Sequence, residues 1–404
     1  MILTDQPWLD AAATRRVMAA LEAAGGPGCA RFVGGCVRNA LIGQPVDDVD
    51  IATTLRPEQT EQAIRAAGLK AVPTGVAHGT VTAVADRRPF EITTLRRDVS
   101  TDGRNATVAF TDDWAEDAAR RDFRLNALYA DRDGWVIDPT GEGVADAQAG
   151  RIVFVGDPET RIREDYLRIL RFFRFFAWYG RGAPDPAGLA ACGALAPGMV
   201  RLSAERLSKE LLKLLAAPDP RPAVRAMEEA GVLSRVLPEA TPSPVFDAAV
   251  GIDPDPVARL MALTAPGEEV ALEISRRLRL SNAVRDRVTA AARARADIAL
   301  NMADPAVRAA IYRHGRQAVA DALRRRLAEQ PAAEADARRL LAIAESWDPP
   351  RLPVSGRELA RLGVPPGPET GRLLRAFEAG WIADDFPTHG HAERLAALVA
   401  AGRD

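Results

Sequence analysis

An α+β chain is what the sequence predicts, with a mixed sheet and its helices first and helices alone afterwards. Three observations carry this. Residues 30–54, ARFVGGCVRNALIGQPVDDVDIATT, read as strand, glycine turn, short helix and second strand. Strand-like runs recur at 71–72, 78–85 and 89–95. From Pro218 onward the apolar spacing is helical, one helix after another punctuated by Pro and Gly.

Taken in order, residues 8–24 place Trp8, Leu9, Ala12, Val17, Met18 and Leu21 at helical spacing, a helix for the outside of the first sheet. The strand at 31–33 runs into Gly34-Gly35, and a helix at 37–42 is closed by Gly43. Residues 46–51 alternate as a strand would, which puts Asp48 and Asp50 on one face. Two carboxylates side by side repel, and a hard divalent cation such as Mg²⁺ resolves the repulsion. A Gly-Gly turn lets backbone N–H groups approach a phosphate, and the following helix points its positive end the same way. Arg38, in the first turn of that helix, is placed to hold phosphate oxygens. Phosphates at the turn and metal at the aspartates make a nucleoside triphosphate site. The plain alternative is a βαβ corner with two solvated aspartates.

A helix at 57–67 ends at Gly68. In the strand at 89–95, Glu91 faces away from Phe90 and Ile92, which makes it a candidate third carboxylate or simply an exposed strand residue. The stretch 96–113 is polar and glycine-bearing and reads as a mobile loop. His78 has no ligand at metal spacing and reads as structural. Residues 161–179, RIREDYLRILRFFRFFAWY, read as one long helix whose aromatics belong to the core. Asp165 and Arg168 stand three apart on it, hence neighbours. A carboxylate only accepts hydrogen bonds and a guanidinium only donates. Cytosine and adenine each present an amino donor beside a ring acceptor, which this pair matches. Uracil and guanine present the reverse pattern and leave two groups mismatched, at about 1–3 kcal/mol each.

Composition bounds the rest. A chain of 404 residues holds two to four domains. The net charge of −2 lacks the basic excess usual for a nucleic-acid enzyme, although a total says nothing of distribution. Lysine occurs only at Lys70, Lys209 and Lys213 among 53 basic residues. Cys29, Cys36 and Cys192 form neither a metal spacing nor an even disulfide set, as suits a reducing cytoplasm. The start MILTDQPWLD lacks the basic and apolar regions of a signal peptide, and no run reaches the roughly 18 apolar residues of a membrane span. A cytoplasmic protein is expected.

The patterns GG-x-VR, LIG and D-x-D-IAT resemble the tRNA nucleotidyltransferase and bacterial poly(A) polymerase family of the polymerase-β-like superfamily. Asn39 departs from it, standing where the family commonly has Asp, and no catalytic role is assigned to it. The resemblance implies a nucleotidyltransferase head at 1–145, a neck with a base-template helix at 146–215, an RNA-binding body at 216–330 and a tail at 331–404. EITTLR resembles a family strand, which raises Glu91 to a metal-placing role. AARRDFRLNALY resembles RRDFTxNAL, with Arg124 in place of Thr. This implies that Arg121 reaches the triphosphate or ribose, that Asp122 orients it, and that Asn126 caps or contacts the sugar. Glu164 to Arg168 resembles the EDxxR amino-acid template, with Arg171 and Arg174 matching arginines that bind the nucleotide or shape its pocket. LSAERLSKELLKLL, opening at Ser203, resembles the ERLxxEL helix that braces the template. Family members carry a flexible loop at 96–113 implicated in adding the terminal A.

The implied activity is template-independent addition of CCA to the tRNA 3′ end from CTP and ATP. Gly34 and Gly35 hold the triphosphate, and Asp48, Asp50 and Glu91 serve the Mg²⁺ site. Poly(A) polymerase, which shares these motifs, is the near alternative, and an RNA-binding protein with a dead transferase fold the remote one.

Overall fold

The computed structural model describes the backbone of residues 1–75, 79–102 and 105–401, and their side chains except at 74, 98–102 and 105–108. His78 lies outside the described residues, as do 103–104 within the polar stretch. The chain divides into two units, Met1–Pro238 and Glu239–Asp404. No described helix is long and apolar enough to cross a membrane.

The first unit holds a seven-stranded sheet. In chain order its strands are β1 (Ala30–Val33), β2 (Asp50–Thr53), β3 (Lys70–Gly75), β4 (Thr80–Ala85), β5 (Arg88–Thr94), β8 (Tyr129–Ala130) and β9 (Val136–Ile137). They lie in the order β3-β4-β5-β2-β1-β8-β9. β2 runs parallel to β5, and the other neighbours are antiparallel. The helix expected at 8–24 is interrupted by extended backbone at Ala11, which gives α1 (Pro7–Asp10) and α2 (Ala12–Gly25). α2 buries Val17, Met18 and Leu21 and packs against α4 (Pro57–Ala66) and β4. Between β1 and β2 stands the short α3 (Gly35–Leu41).

Two expectations change here. The strand expected at 46–51 begins only at Asp50, so alternation along a strand is not what brings Asp48 beside it. The ladder gives the reason. Phe32 pairs with Ile51, but two residues on Gly34 turns away at φ 70, its N–H bonding Leu128 O at 3.0 Å. The segment before Asp50 therefore has no β1 partner, and Pro45 has no N–H to offer one. The polar stretch at 96–113 forms a two-stranded ribbon, β6 (Arg96–Asp102) and β7 (Asn105–Phe110), paired from Arg96↔Phe110 with a register shift between Asp98 and Ser100. Its base is fixed by Thr111 N–H to Leu95 O at 3.0 Å and by Arg120 Nε to Arg96 O at 3.0 Å.

After the ribbon come α5 (Trp114–Ala119), a 3-10 turn at Arg124–Asn126, and α6 (Gly143–Ala149). The helix expected over 161–179 is two: α7 (Pro158–Glu164) and α8 (Leu167–Tyr179). Asp165 between them is extended, at φ −152°, and its Oδ1 accepts the Leu167 N–H at 3.0 Å. An aspartate that caps the next helix ends the last one. α9 (Pro186–Leu195), α10 (Ala204–Leu215), α11 (Arg221–Glu229) and α12 (Leu233–Val236) complete the unit, α10 and α11 packing on α8.

An aromatic core joins sheet and helices. Phe123 packs its ring 4.8 Å from Phe154 and 5.2 Å from Phe175, and Phe154 stacks on Phe172 at 5.7 Å. A bridge pairs Phe123 with Phe154. The second unit is helical around two cores, one on Val307, Ile311, Val319, Leu323 and Leu340, the other on Leu359, Phe377, Trp381 and Leu395.

Phe123→Ala removes the ring at the centre of the first cluster and is expected to cost about 3–5 kcal/mol of unfolding free energy. Denaturant unfolding followed by tryptophan fluorescence measures it.

Candidate active site

Backbone freedom makes the first half of the site. Gly34 occupies left-handed space, and a Cβ there would stand 3.6 Å from Asn126 O and 3.7 Å from Arg121 Nη1. A Cβ on Gly35 would stand 3.8 Å from Arg38 Nη2. The Gly-Gly turn is thus bare backbone between two guanidinium groups, the arrangement an oligophosphate needs.

Carboxylates make the second half. Parallel pairing sets Asp50 directly across from Glu91, and Asp48 lies exposed in the segment leading to β2. Burial raises the Asp50 pKa to about 6, with Glu91 and Asp48 adding to the rise and Arg121 opposing it. Three negative groups therefore act on one another with a single guanidinium against them. Among the described residues, no three His, Cys, Asp or Glu side chains converge tightly enough to hold an ion unaided. The donors fit a divalent cation that takes two carboxylates and completes its shell with phosphate oxygens and water.

The segment carrying Asp48 is anchored by Asn39. Its main-chain oxygen accepts the Gln44 N–H at 2.8 Å, and its Nδ2 donates to Pro45 O at 2.8 Å. Its Oδ1 meanwhile accepts from Arg38 Nε at 3.1 Å and Nη2 at 2.9 Å. Only an amide both donates and accepts here, which accounts for the departure from Asp.

The arginines are held in ways the sequence reading did not foresee. Arg121 is oriented by Asp117 rather than by Asp122. Its Nη2 reaches Asp117 Oδ2 at 3.0 Å, and Tyr129 OH donates to the same oxygen at 2.6 Å. Asp117 also accepts from Arg120 Nε at 2.8 Å. Burial alone would raise the Asp117 pKa, but Arg121 and Arg120 bring it down to about 2. Asp122 lies too far round the turn to meet Arg121. It takes Arg171 Nε at 2.8 Å and Asn126 Nδ2 at 3.0 Å, and its pKa also ends at about 2, burial outweighed by Arg171 and Asn126. Asn126 Oδ1 in turn accepts from Arg38. Arg38 is buried, bonds Tyr179 OH at 2.8 Å, and lies over the Tyr179 ring at 4.0 Å. Its guanidinium thus borders the glycine turn while tied to α8.

The expected Asp165–Arg168 surface pair is not formed, because the helix breaks between them. Asp165 Oδ2 accepts from Arg206 of α10 at 2.7 Å. Arg168 pairs with Glu164 and donates to Arg161 O at 2.8 Å and Arg120 O at 3.3 Å. Arg174 is ion-paired with Glu210 at 2.8 Å, at an angle too bent for a hydrogen bond. Ser203 precedes α10 without a side-chain cap bond. The structure thus gathers Gly34, Gly35, Arg38, Asp50, Glu91, Arg121, Asp122, Asn126 and Arg171, and ties Asp165 and Arg168 to partners of their own. Asp117, Tyr129, Tyr179 and Arg206 were not read as site residues. Asp117 had a legible signal, standing three and four residues before Arg120 and Arg121 on a helical stretch. The others act across the fold.

Fold and site define a nucleotidyltransferase head. Residues 30–153 match the family model described as "Poly A polymerase head domain", and 183–243 match "Probable RNA and SrmB-binding site of polymerase A". The mitochondrial CCA tRNA nucleotidyltransferase 1 of Mus musculus is 34% identical over 366 residues, 87% of this chain and 82% of that protein. The CCA-adding enzyme of Geobacillus thermodenitrificans is 38% identical over 211 residues, 52% of this chain and 50% of that one. The structure of the Bacillus stearothermophilus CCA-adding enzyme in complex with CTP superposes with a TM-score of 0.81 at 26% identity, covering 99% of this chain and 98% of that one. The chain belongs to the CCA tRNA nucleotidyltransferase family.

Two outcomes follow from the hydrogen bonds. Asn39→Asp keeps the contact to Arg38 and loses the donor to Pro45, so amide exchange across 44–49 is expected to quicken about fivefold, the worth of one hydrogen bond. Deuterium exchange read by mass spectrometry checks this. The depressed Asp122 pKa means that its stabilisation is complete above the ordinary carboxylate value and is lost as pH falls from about 4 toward about 2. Unfolding curves across that window are expected to fall more steeply for the native chain than for Asp122→Asn.

Proposed function

We propose that the protein adds C, C and A to the 3′ end of tRNA from CTP and ATP, with no nucleic-acid template. The observation that carries this reading is the Asp50↔Glu91 register, which sets an acidic cluster, Asp48 included, beside a Gly-Gly turn flanked by Arg38 and Arg121. In this reading the head is 1–145, the neck 146–215, the body 216–330 and the tail 331–404. The three cysteines are buried and free, in keeping with a cytoplasmic enzyme.

Asp48 and Asp50 would hold Mg²⁺, with Glu91 assisting its placement. The bound metal would make the RNA 3′-OH a better nucleophile toward the α-phosphate and neutralise charge on the pyrophosphate. Arg121, fixed by Asp117 and Tyr129, faces the glycine turn and takes triphosphate oxygens. Gly35 offers its N–H to the same phosphates, Gly34, whose own N–H is taken by Leu128 O, keeps the turn free of a side chain, and Arg38 adds charge from the α8 side. Asp122, Asn126 and Arg171 hold that side of the pocket in place. Little covalent chemistry is asked of the protein, so positioning and charge neutralisation dominate.

Asp165 and Arg168 would select the base. Arg206 and the Leu167 N–H each occupy one Asp165 oxygen, which leaves lone pairs for an amino group. Arg168 commits three N–H groups to Arg161 O, Glu164 and Arg120 O, and the rest of its five are donors for a ring acceptor. Cytosine and adenine satisfy both, and uracil and guanine neither. The polymerase A descriptions of the two family models keep poly(A) addition as the second reading.

The test is incorporation into a tRNA transcript lacking its 3′ end, with Mg²⁺ and with CTP and ATP singly and together, followed by 3′-end sequencing. Products ending in CCA and going no further are expected, whereas long A tails from ATP alone on unrelated RNA would make this a poly(A) polymerase. Asp48→Ala and Asp50→Ala are each expected to lower incorporation by at least about 100-fold, and unchanged incorporation would reject the metal assignment. Arg168→Ala should lower incorporation and admit UTP.

A further inference from the structure

Which cations of this chain meet RNA depends on what its carboxylates leave over. In the second unit the arginine clusters at 276–277, 285–287, 293–295 and 324–326 are ion-paired throughout, Glu329 alone meeting Arg295, Arg325 and Arg326. Lys209 and Lys213, two of the three lysines, differ. They lie one turn apart on the exposed side of α10, and among the described residues no carboxylate comes within ion-pairing distance of either.

Beside them stands an unusual aromatic. Trp178 is 43% exposed, and its indole N–H donates to Lys213 O at 2.7 Å. That bond satisfies the one polar atom of the ring and pins its edge, and the ring itself remains at the surface. The exposed part of the ring is thus held in a fixed direction and open to stacking. The ground around it is positive. The Lys213 ammonium is lowered from its usual pKa by burial and by Arg174, Lys209 and Arg171, with Glu210 opposing.

Position narrows the occupant. Arg171, which bonds Asp122 in the nucleotide site, and Trp178 are both on α8, seven residues or about 10 Å apart along the axis. That distance is short enough for a single strand with its 3′ end in that site to span. Free lysines suit phosphates, and an exposed indole suits an unstacked base.

We propose that Trp178, Lys209 and Lys213 form a platform for the single-stranded 3′ segment of the RNA under extension, the lysines on its phosphates and the indole under one base. This rests on the activity proposed above and adds the path of the primer strand.

The experiment compares the native chain with Trp178→Ala, Trp178→Phe and the double variant K209Q/K213Q. Affinity is measured by fluorescence anisotropy for a tRNA bearing a 3′ overhang and for the same stem trimmed blunt, across a salt series. Trp178→Ala is expected to weaken binding of the overhang RNA about tenfold, with Trp178→Phe close to native. K209Q/K213Q is expected to lower the slope of log affinity against log salt by about 1.4. Neither should change binding of the blunt stem, or the KM for CTP at saturating RNA. Native affinity and slope in all variants overturn the platform, as does equal loss with overhang and blunt RNA. Incorporation by the native chain is followed in parallel. If it adds no CCA while the variants still lose overhang binding, the proposed activity fails and the platform stands.

Discussion

The Asp122–Arg171 ion pair is the interaction on which the arrangement of the first unit depends. Asp122 is 8% exposed, so its charge is tolerable only because Arg171 and Asn126 supply donors in place of water. That requirement couples the segment after α5 to α8. Asn126, held by Asp122, accepts from Arg38, and Arg38 lies against Tyr179 at the far end of α8. A buried pair of this kind loses part of its attraction to desolvation. What it fixes is geometry, because any other seating of α8 leaves a buried charge without a partner.

The same reasoning separates the roles of the arginines. Those beside a carboxylate at close range have their direction set by it, and Arg121 is the clearest case. Asp117 and Tyr129 hold its Nε and Nη2, and its Nη1 is turned toward Gly34. A guanidinium has enough donors to be held and to bind at once, which an ammonium of similar reach does not manage with the same fixed direction. The carboxylates at β2 and β5 are the opposite case. Asp50 and Glu91 are brought together by strand pairing, and burial raises the Asp50 pKa, with Glu91 and Asp48 adding to the rise and Arg121 opposing it.

Helix breaks matter to function here as much as helices do. Had 161–179 run on as one helix, Asp165 and Arg168 would have spent their hydrogen bonds on each other. The extended Asp165 instead turns one oxygen to the Leu167 N–H and the other to Arg206, and Arg168 folds back onto Glu164 and two carbonyls. Each side chain is held separately, with hydrogen-bonding capacity left over.

The fold class was legible because it rests on short-range patterns. Gly34-Gly35 after a strand, the period of the helices past Pro218, and the spacing of Asp48, Asp50 and Glu91 in apolar runs are all local. So was the family, since its motifs are contiguous. What escaped was whatever two distant segments settle between them. Residues 46–51 alternate correctly for a strand, yet Gly34 leaves the β1 ladder and the residues before Asp50 have no partner on that side. Asp122 stands next to Arg121 in sequence, but adjacent residues point apart, and Arg121 finds Asp117 one turn earlier on α5 and Tyr129 on β8. Residues 96–113 are polar enough for a loop, and their cross-strand pairing becomes visible only in register. Sequence by itself determined which chemistry is present, because side-chain type and local spacing do not depend on the fold. Tertiary structure alone decided which charges meet, because Coulomb and hydrogen-bond energies fall off over a few ångströms in space, whatever the separation along the chain.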